Sequence, residues 1–263
     1  MPTDWIDLAG VVNMRDLGGL PTTDGHRIRS RRLIRSDNLQ DLTAADVRRL
    51  VDELGVTDVV DLRSDTEVHS EGPGPLVRER SLTHHQHSLF RDRPADDTAS
   101  DVLVPGRGSD ADRADPAYWA GHYLGYLRER SESVSAALHV VADSRGATVV
   151  HCAAGKDRTG TIVGLALDVA GVPHDVIVED YVRTGERLEA IFGRLADRPA
   201  YREHLLGRSA TEETPLPEAM GAILRYAAEE FGGSAGWLLA HGWSHPQVTR
   251  LRDSLREPVS SAG

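Results

Sequence analysis

Ten consecutive residues, His151-Cys152-Ala153-Ala154-Gly155-Lys156-Asp157-Arg158-Thr159-Gly160, bring together a thiol, three small residues and an arginine six positions after the cysteine. They also hold the only cysteine and the only lysine of the chain; the other 29 basic residues are arginine. Ala153, Ala154 and Gly155 are small enough for successive backbone N–H groups to turn inward as an anion-binding nest. A helix beginning near Arg158 would add the partial positive charge of its N-terminus. Cys152 at the base of such a nest is placed to act as a thiolate nucleophile. The Arg158 guanidinium offers a planar fork matched to two phosphate oxygens. The chemistry implied is in-line attack of the thiolate on a phosphomonoester, giving a cysteinyl phosphate that water then hydrolyses. The nest and Arg158 hold the charge of the equatorial oxygens in both steps. Ala153, Ala154, Gly155, Lys156, Thr159 and Gly160 are expected to bind substrate, Thr159 also donating its hydroxyl to the sulfur. His151 is expected to orient the loop. Because fixed dipoles supply the positive field, the reading requires no metal and no cofactor.

Two plainer readings compete. A lone cysteine in a strand–helix corner is most often a small buried apolar residue. A Gly-Lys pair also occurs in nucleotide-binding loops, but there Ser or Thr follows the lysine and a glycine opens the motif. Here those positions are Asp157 and Val150.

The elements that must position this stretch are legible on both sides. Ala147 to His151 (ATVVH) reads as a buried strand and Thr159 to Ala170 as a helix stopped by Gly171 and Pro173. Upstream, Thr43 to Leu54 carries Val47, Leu50, Val51 and Leu54 on one helical stripe, with Thr43 as N-cap and Gly55 as stop. Val56 to Leu62 (VTDVVDL) reads as a second buried strand, and Gly25 to Ile34 as a small β element running into LIRSD. Val176–Leu195 and Pro217–Phe231 read as helices. Alternation of this kind predicts an α/β fold with a mainly parallel sheet.

Arg91 to Pro116, with seven aspartates and three prolines, reads as a mobile insertion, either a plain surface loop or a lid over the site. Tyr118, Trp119, Tyr123, Tyr126 and Leu127 follow it on one helical stretch, fitting a core stripe better than a substrate wall. Gly207 to Pro217 reads as a shorter loop. The expected organisation is one domain over residues 1–263, with 91–128 as a lid or insertion within it.

Composition narrows the class. Forty-one acidic against 30 basic residues leave a net charge of −11 over 263 residues, which argues against a nucleic-acid or anionic-membrane binder. One cysteine excludes an internal disulfide framework and a cysteine-based zinc site. Met1 to Gly19 lacks the basic start and apolar run of a signal peptide, and no stretch reaches the roughly 18 apolar residues of a membrane span. The cytoplasm is the expected location, with export by a route lacking a signal peptide left open. His84, His85 and His87 cluster in sequence, but a loop near the pocket mouth is a better reading of them than a metal site.

The Cys152–Arg158 spacing, lying between strand and helix, resembles the signature of cysteine-dependent protein tyrosine phosphatases. The fuller run from His151 to Gly160 is similar to the atypical bacterial branch, the tyrosine phosphatase B type, which includes enzymes acting on phosphoinositides. Further blocks carry the resemblance along nearly the whole chain: Asn13-Met-Arg-Asp-Leu-Gly-Gly19, Arg35-Ser-Asp37, Asp61-Leu-Arg-Ser64, Asp180-Tyr181 and Phe231 to Leu255. The resemblance implies a sheet of four or five strands wrapped by helices, an active-site lid and phosphomonoester hydrolysis.

The leaving oxygen needs a general acid, a role worth about 10²–10⁴-fold in rate. The Trp-Pro-Asp loop that carries it in the main tyrosine phosphatase branch is absent. Asp157 is the first candidate, supported by the resemblance. Asp61, at the end of a strand, is the second, with an ion pair to Arg63 as its alternative role. An aspartate of Arg91–Pro116 is the third. Lys156 resembles a loop lysine of tensin-type lipid phosphatases, which admits polyanionic substrates; its alternative role is pairing with a local acid. The expected partner is therefore a phosphorylated protein, a phosphoinositide or a small phosphomonoester. A phosphatase for small metabolites and a non-catalytic phosphate-binding module are the competing readings, since function lives in the pocket rather than the fold.

Overall fold

The computed structural model describes residues 5–90, 115–206 and 208–257. Among the described residues five strands form one sheet: β1 (Arg15–Asp16), β2 (Leu33–Ser36), β3 (Val56–Asp61), β4 (Thr83–Gln86) and β5 (Ala147–His151). Their order is β1-β2-β5-β3-β4, with only the β1–β2 pair antiparallel. This is the expected mainly parallel α/β sheet flanked by helices.

Side chains on β2, β3 and β5 alternate between two apolar layers. Leu33, Val60 and Val150 face one core, and Ile34, Val59 and Val149 face the other. Strands covered on both faces read as the continuous apolar runs seen in the sequence. The larger layer packs against seven helices: α3 (Pro116–Glu129), α4 (Ser131–Asp143), α5 (Asp157–Val169), α6 (His174–Val182), α9 (Pro217–Phe231), α10 (Ser234–Ala240) and α11 (His245–Leu255). The smaller layer packs against α1 (Ala44–Arg48) and the wider turn Arg49–Glu53 that continues it. Thr43 caps α1 by accepting from the Asp46 amide, and Gly55 after it has φ +67°, as the sequence indicated.

Register sets the site. Ser36, Asp61 and His151 stand side by side at the carboxyl ends of β2, β3 and β5. Ligands of open parallel sheets bind outside that edge. A third apolar cluster covers it: Leu188, Ile191 and Leu195 of α7 (Leu188–Ala196) pack with Tyr201 and Leu205 of α8 (Pro199–Leu205) on Ala153 and Ala154.

Three local expectations need correction. The helix expected over Val176–Leu195 is interrupted by a tighter turn, Arg183–Arg187, where Thr184 and Gly185 weaken it. His84 and His85 lie on the edge strand β4 rather than in a loop, and His85 pairs with Asp58 at 2.9 Å. Within Gly207–Pro217 the segment Ala210–Glu213 is a short 3₁₀ turn. Of the expected 91–128 insertion, 91–114 lies outside the described residues. The rest belongs largely to α3, whose Trp119, Tyr123, Tyr126 and Leu127 are buried in the larger core.

Candidate active site

β5 ends at His151, α5 begins at Asp157, and Cys152 to Lys156 form the turn between them. Gly155 takes φ +67° there, and a Cβ at that position would come within 2.4 Å of the Ser36 carbonyl oxygen. Only glycine fits both demands.

The carbonyls of this turn are all tied to groups outside it. The Ala153 oxygen accepts from the Asn38 amide at 2.9 Å. Asn13 Nδ2 donates to the Ala154 oxygen at 2.9 Å and to the Gly155 oxygen at 3.4 Å. Arg35 Nη2 donates to the Gly155 oxygen at 2.7 Å and the Lys156 oxygen at 3.5 Å. His151 Nδ1 lies 3.3 Å from the Cys152 oxygen. A trans peptide points its N–H opposite to its C=O. Holding the carbonyls of 152–156 outward therefore turns the N–H groups of 153–157 the other way, as an anion nest requires.

These tethers are themselves buried and braced. Arg35 Nη1 and Arg15 Nε donate to the two oxygens of Asp180 at 2.6 and 2.7 Å, and Arg15 Nη1 donates to Asn13 Oδ1 at 2.7 Å. Burial alone would raise the Asp180 carboxyl, but the two guanidiniums outweigh it and hold it at about 2. Asp37 accepts from the Asn13 and Val12 amides and from Arg194. Thus the sequence blocks around Asn13, Arg35–Asp37 and Asp180 form the cradle of the loop.

Arg158, in the first turn of α5, is 3% exposed and held by Glu67 with both oxygens, Nη1–Oε2 2.5 Å and Nη2–Oε1 3.0 Å. Glu67 is fully buried and also caps α2 (Asp65–Glu71), accepting the Ser64 amide at 2.8 Å. The Ser-x-x-Glu spacing from Ser64 to Glu67 is the one sequence signal that could have pointed to this residue. The Arg158 guanidinium carbon lies over the Phe90 ring, 4.3 Å from its centre.

Asp157 and Lys156 sit together. Lys156 Nζ lies 3.1 Å from Asp157 Oδ1 and 3.5 Å from Glu213 Oε2. The Tyr123 hydroxyl donates to Asp157 Oδ1 and lies 2.6 Å from the Tyr181 hydroxyl. Burial, reinforced by Asp157 and Tyr181, raises Tyr123 well above the usual phenol range, so it stays a donor. Tyr181 in turn packs on α5 where a Cβ at Gly160 would meet its ring at 2.9 Å.

Asp61 is engaged by Arg63 on both oxygens, with contacts of 2.6 to 3.1 Å. Burial would raise its carboxyl, but His151 and Arg63 together hold it at about 2. His151 Nε2 lies 3.7 Å from Asp61 Oδ2. Burial lowers His151 to about 4, so its ring is neutral at pH 7. Cys152 is 2% exposed, and the buried Thr159 hydroxyl has no hydrogen-bond partner among the described residues. The structure brings His151 to Gly160 and Asp61 to one edge. Tyr123, Glu67 and Glu213 join them without having been singled out as site residues in the sequence.

Among the described residues no helix is long and apolar enough to cross a membrane. No group of three or more His, Cys, Asp or Glu side chains there could hold a metal ion.

Residues 6–257 match the model of the family described as "Tyrosine phosphatase family". The chain is 29% identical over 279 residues to the triple specificity protein phosphatase PtpB of Mycobacterium tuberculosis, covering 95% of this chain and 98% of that protein. It is 30% identical over 232 residues to a tyrosine-protein phosphatase of Nostoc commune, covering 84% of this chain and 73% of that one. With a match spanning nearly its whole length, the chain belongs to the tyrosine phosphatase family, and it is an enzyme of the cysteine-dependent kind.

Proposed function

We propose that this protein hydrolyses phosphotyrosine in proteins through a cysteinyl-phosphate intermediate. The observation that supports this most is the outward tethering of the turn carbonyls by Asn13, Arg35 and Asn38. It aims the turn's N–H groups at the space beside Cys152, where a phosphoryl group sits within reach of Arg158.

In the first step the Cys152 thiolate attacks phosphorus, the bond to the leaving oxygen breaks, and Asp157 gives that oxygen a proton. In the second, water attacks the phosphocysteine, Asp157 takes the water's proton, and phosphate leaves with the electron pair of the P–S bond returned to sulfur. Tyr123 and Lys156 both engage Asp157 Oδ1, so Oδ2 is assigned the transferred proton. Asp157 is preferred over Asp61, because Arg63 occupies both Asp61 oxygens and keeps that carboxyl ionised at neutral pH. The N–H groups of 153–157 and Arg158 stabilise the equatorial oxygens throughout. Thr159 is assigned to the sulfur as it departs in the second step. The positive field comes from groups of this chain, so turnover is expected to persist in EDTA.

The test is turnover in EDTA on a phosphotyrosine peptide, a phosphoserine peptide, phosphatidylinositol phosphates and nucleoside monophosphates. Native protein is compared with Cys152→Ser, Asp157→Asn and Asp61→Asn. The proposal expects phosphotyrosine to be turned over best and Cys152→Ser to be inactive. Turnover that survives loss of the thiol removes it, and a nucleotide ranked first moves the enzyme to small metabolites.

A further inference from the structure

The one lysine of the chain is spent inside the protein. Lys156 Nζ meets Asp157 Oδ1 at 3.1 Å and Glu213 Oε2 at 3.5 Å, and it lies 4.8 Å from the centre of the Trp119 ring. Its side chain is only 5% exposed. Glu213 is itself buried; it comes from the turn Ala210–Glu213, held by a capping box between Ser209 and Glu212, and its Oε1 lies 3.5 Å from Arg208 Nη1. Burial disfavours the Lys156 charge, but the two carboxylates outweigh it and fix the ammonium in its charged form.

The second cation of the loop, Arg158, is matched in the same way by Glu67. Around the turn, Lys156 and Arg158 thus face Asp157, Glu67 and Glu213, with Arg208 on the other oxygen of Glu213, so both loop cations already have carboxyl partners before substrate arrives. A single phosphoryl group is held by backbone N–H groups and by the Arg158 fork, neither of which requires Lys156. A substrate with a second phosphate beside the first needs a cation for it, and Lys156 is the loop cation that could serve, were it not already paired with Asp157 and Glu213. Glu213 stands on that lysine from one side, Asp157 from another and Trp119 covers it. A second phosphate there meets the buried Glu213 carboxylate in a desolvated setting, where a like-charge contact strongly disfavours binding.

We infer that Glu213 is a specificity-determining residue that closes the Lys156 side of the site to a second phosphate. The site then takes monoesters with a single phosphate and rejects neighbouring bisphosphates such as those of phosphatidylinositol bisphosphate headgroups. The inference rests on the phosphatase reading of the Cys152 loop given above.

The test compares kcat/KM for short-chain phosphatidylinositol 3-phosphate and phosphatidylinositol 3,4-bisphosphate, with a phosphotyrosine peptide as reference. In native protein the bisphosphate is expected to be the poorer lipid substrate by about tenfold or more. Glu213→Gln should raise the bisphosphate-to-monophosphate ratio by about tenfold, and adding Lys156→Met should erase that gain. A second measurement needs no variant: inorganic phosphate should inhibit native protein more tightly than pyrophosphate. Equal use of the two lipids by native protein, tighter inhibition by pyrophosphate, or a Glu213→Gln ratio unchanged in a protein of native melting temperature overturns the assignment to Glu213. Phosphotyrosine turnover that persists in Cys152→Ser defeats the phosphatase reading itself and is recognised separately by that variant.

Discussion

Glu67 grips the Arg158 guanidinium with both carboxylate oxygens while its own helix is capped through the same side chain. The arginine fork is therefore aimed by a buried partner rather than by the helix alone. Glu67→Gln keeps the shape and removes the charge. It should lower kcat/KM on phosphotyrosine by about 10²-fold, the scale of misplacing a positioning group by about an ångström. It should also cost up to about 3 kcal/mol of stability, because a buried guanidinium loses its counter-charge. Steady-state kinetics and denaturant melts check the two, and native kinetics in this variant would show that Glu67 serves only α2.

Tyr123 is the donor to Asp157, backed by Tyr181. If Asp157 protonates the leaving group, Tyr123→Phe should matter most where the leaving group is poor. We expect about a tenfold fall in kcat on tyrosine phosphate and a much smaller fall on p-nitrophenyl phosphate. Equal losses on both would make Tyr123 a packing residue.

Gly155→Ala adds one carbon where the backbone takes φ +67° and the Ser36 carbonyl oxygen stands 2.4 Å away. The left-handed conformation costs a β-carbon-bearing residue about 1–2 kcal/mol, and the contact forces the turn or β2 to shift. Activity should fall by at least about 10²-fold with only a modest fall in melting temperature. Retained activity would mean that the turn tolerates a different path.

Burial lowers His151 to about 4, with the Asp61 carboxylate opposing only in part, against an ordinary value of 6.5. Between those values the unfolded chain binds a proton that the folded ring refuses. The stability is fully present above about pH 6.5 and is lost as the pH falls towards 4. The loss is about 1.4 kcal/mol for each pH unit crossed, or about 3 kcal/mol in all. His151→Asn should flatten the profile of denaturation midpoint against pH in that window; parallel profiles for the two proteins would remove His151 as the source.

Thr159 carries a buried hydroxyl without a hydrogen-bond partner among the described residues. An orphaned hydroxyl is a cost to stability, so Thr159→Val should leave the melting temperature unchanged or raise it slightly. If the hydroxyl serves the departing sulfur, the same variant should slow hydrolysis of the phosphocysteine. Rapid-quench experiments would then trap phosphoenzyme and show a burst. Faster or unchanged second-step rates would assign the hydroxyl no role there.

The turn from His151 to Gly160 was legible because its residue types are each unusual and adjacent. Thr43, Gly55 and the helix Pro217–Phe231 were legible because caps and stops are local. Asn13, Arg35 and Asp180 could be matched as blocks, but not given their task of holding or bracing the loop carbonyls, since the carbonyl contacts join positions up to 142 residues apart. The aromatic stripe of α3 is core, as its spacing indicated, but the reach of the Tyr123 hydroxyl to Asp157 is a contact across 34 residues that the stripe does not mark. Glu213 carried no signal, because nothing local marks a glutamate that meets a distant lysine. The break at Arg183–Arg187 was missed because the apolar spacing continues on either side of it.

The tethers of the turn come from both ends of the chain: Asn13, Arg35 and Asn38 on one side of it in sequence, and Asp180, which braces two of them, on the other. None of these bonds can form until loops of more than a hundred residues have closed, and such closures come late in assembly. Helices can thus be complete while the sheet edge and the turn still lack their shape. During refolding from denaturant, catalytic competence should return after the far-ultraviolet dichroism signal has recovered, and a nascent chain on the ribosome stays inactive until Asp180 has emerged.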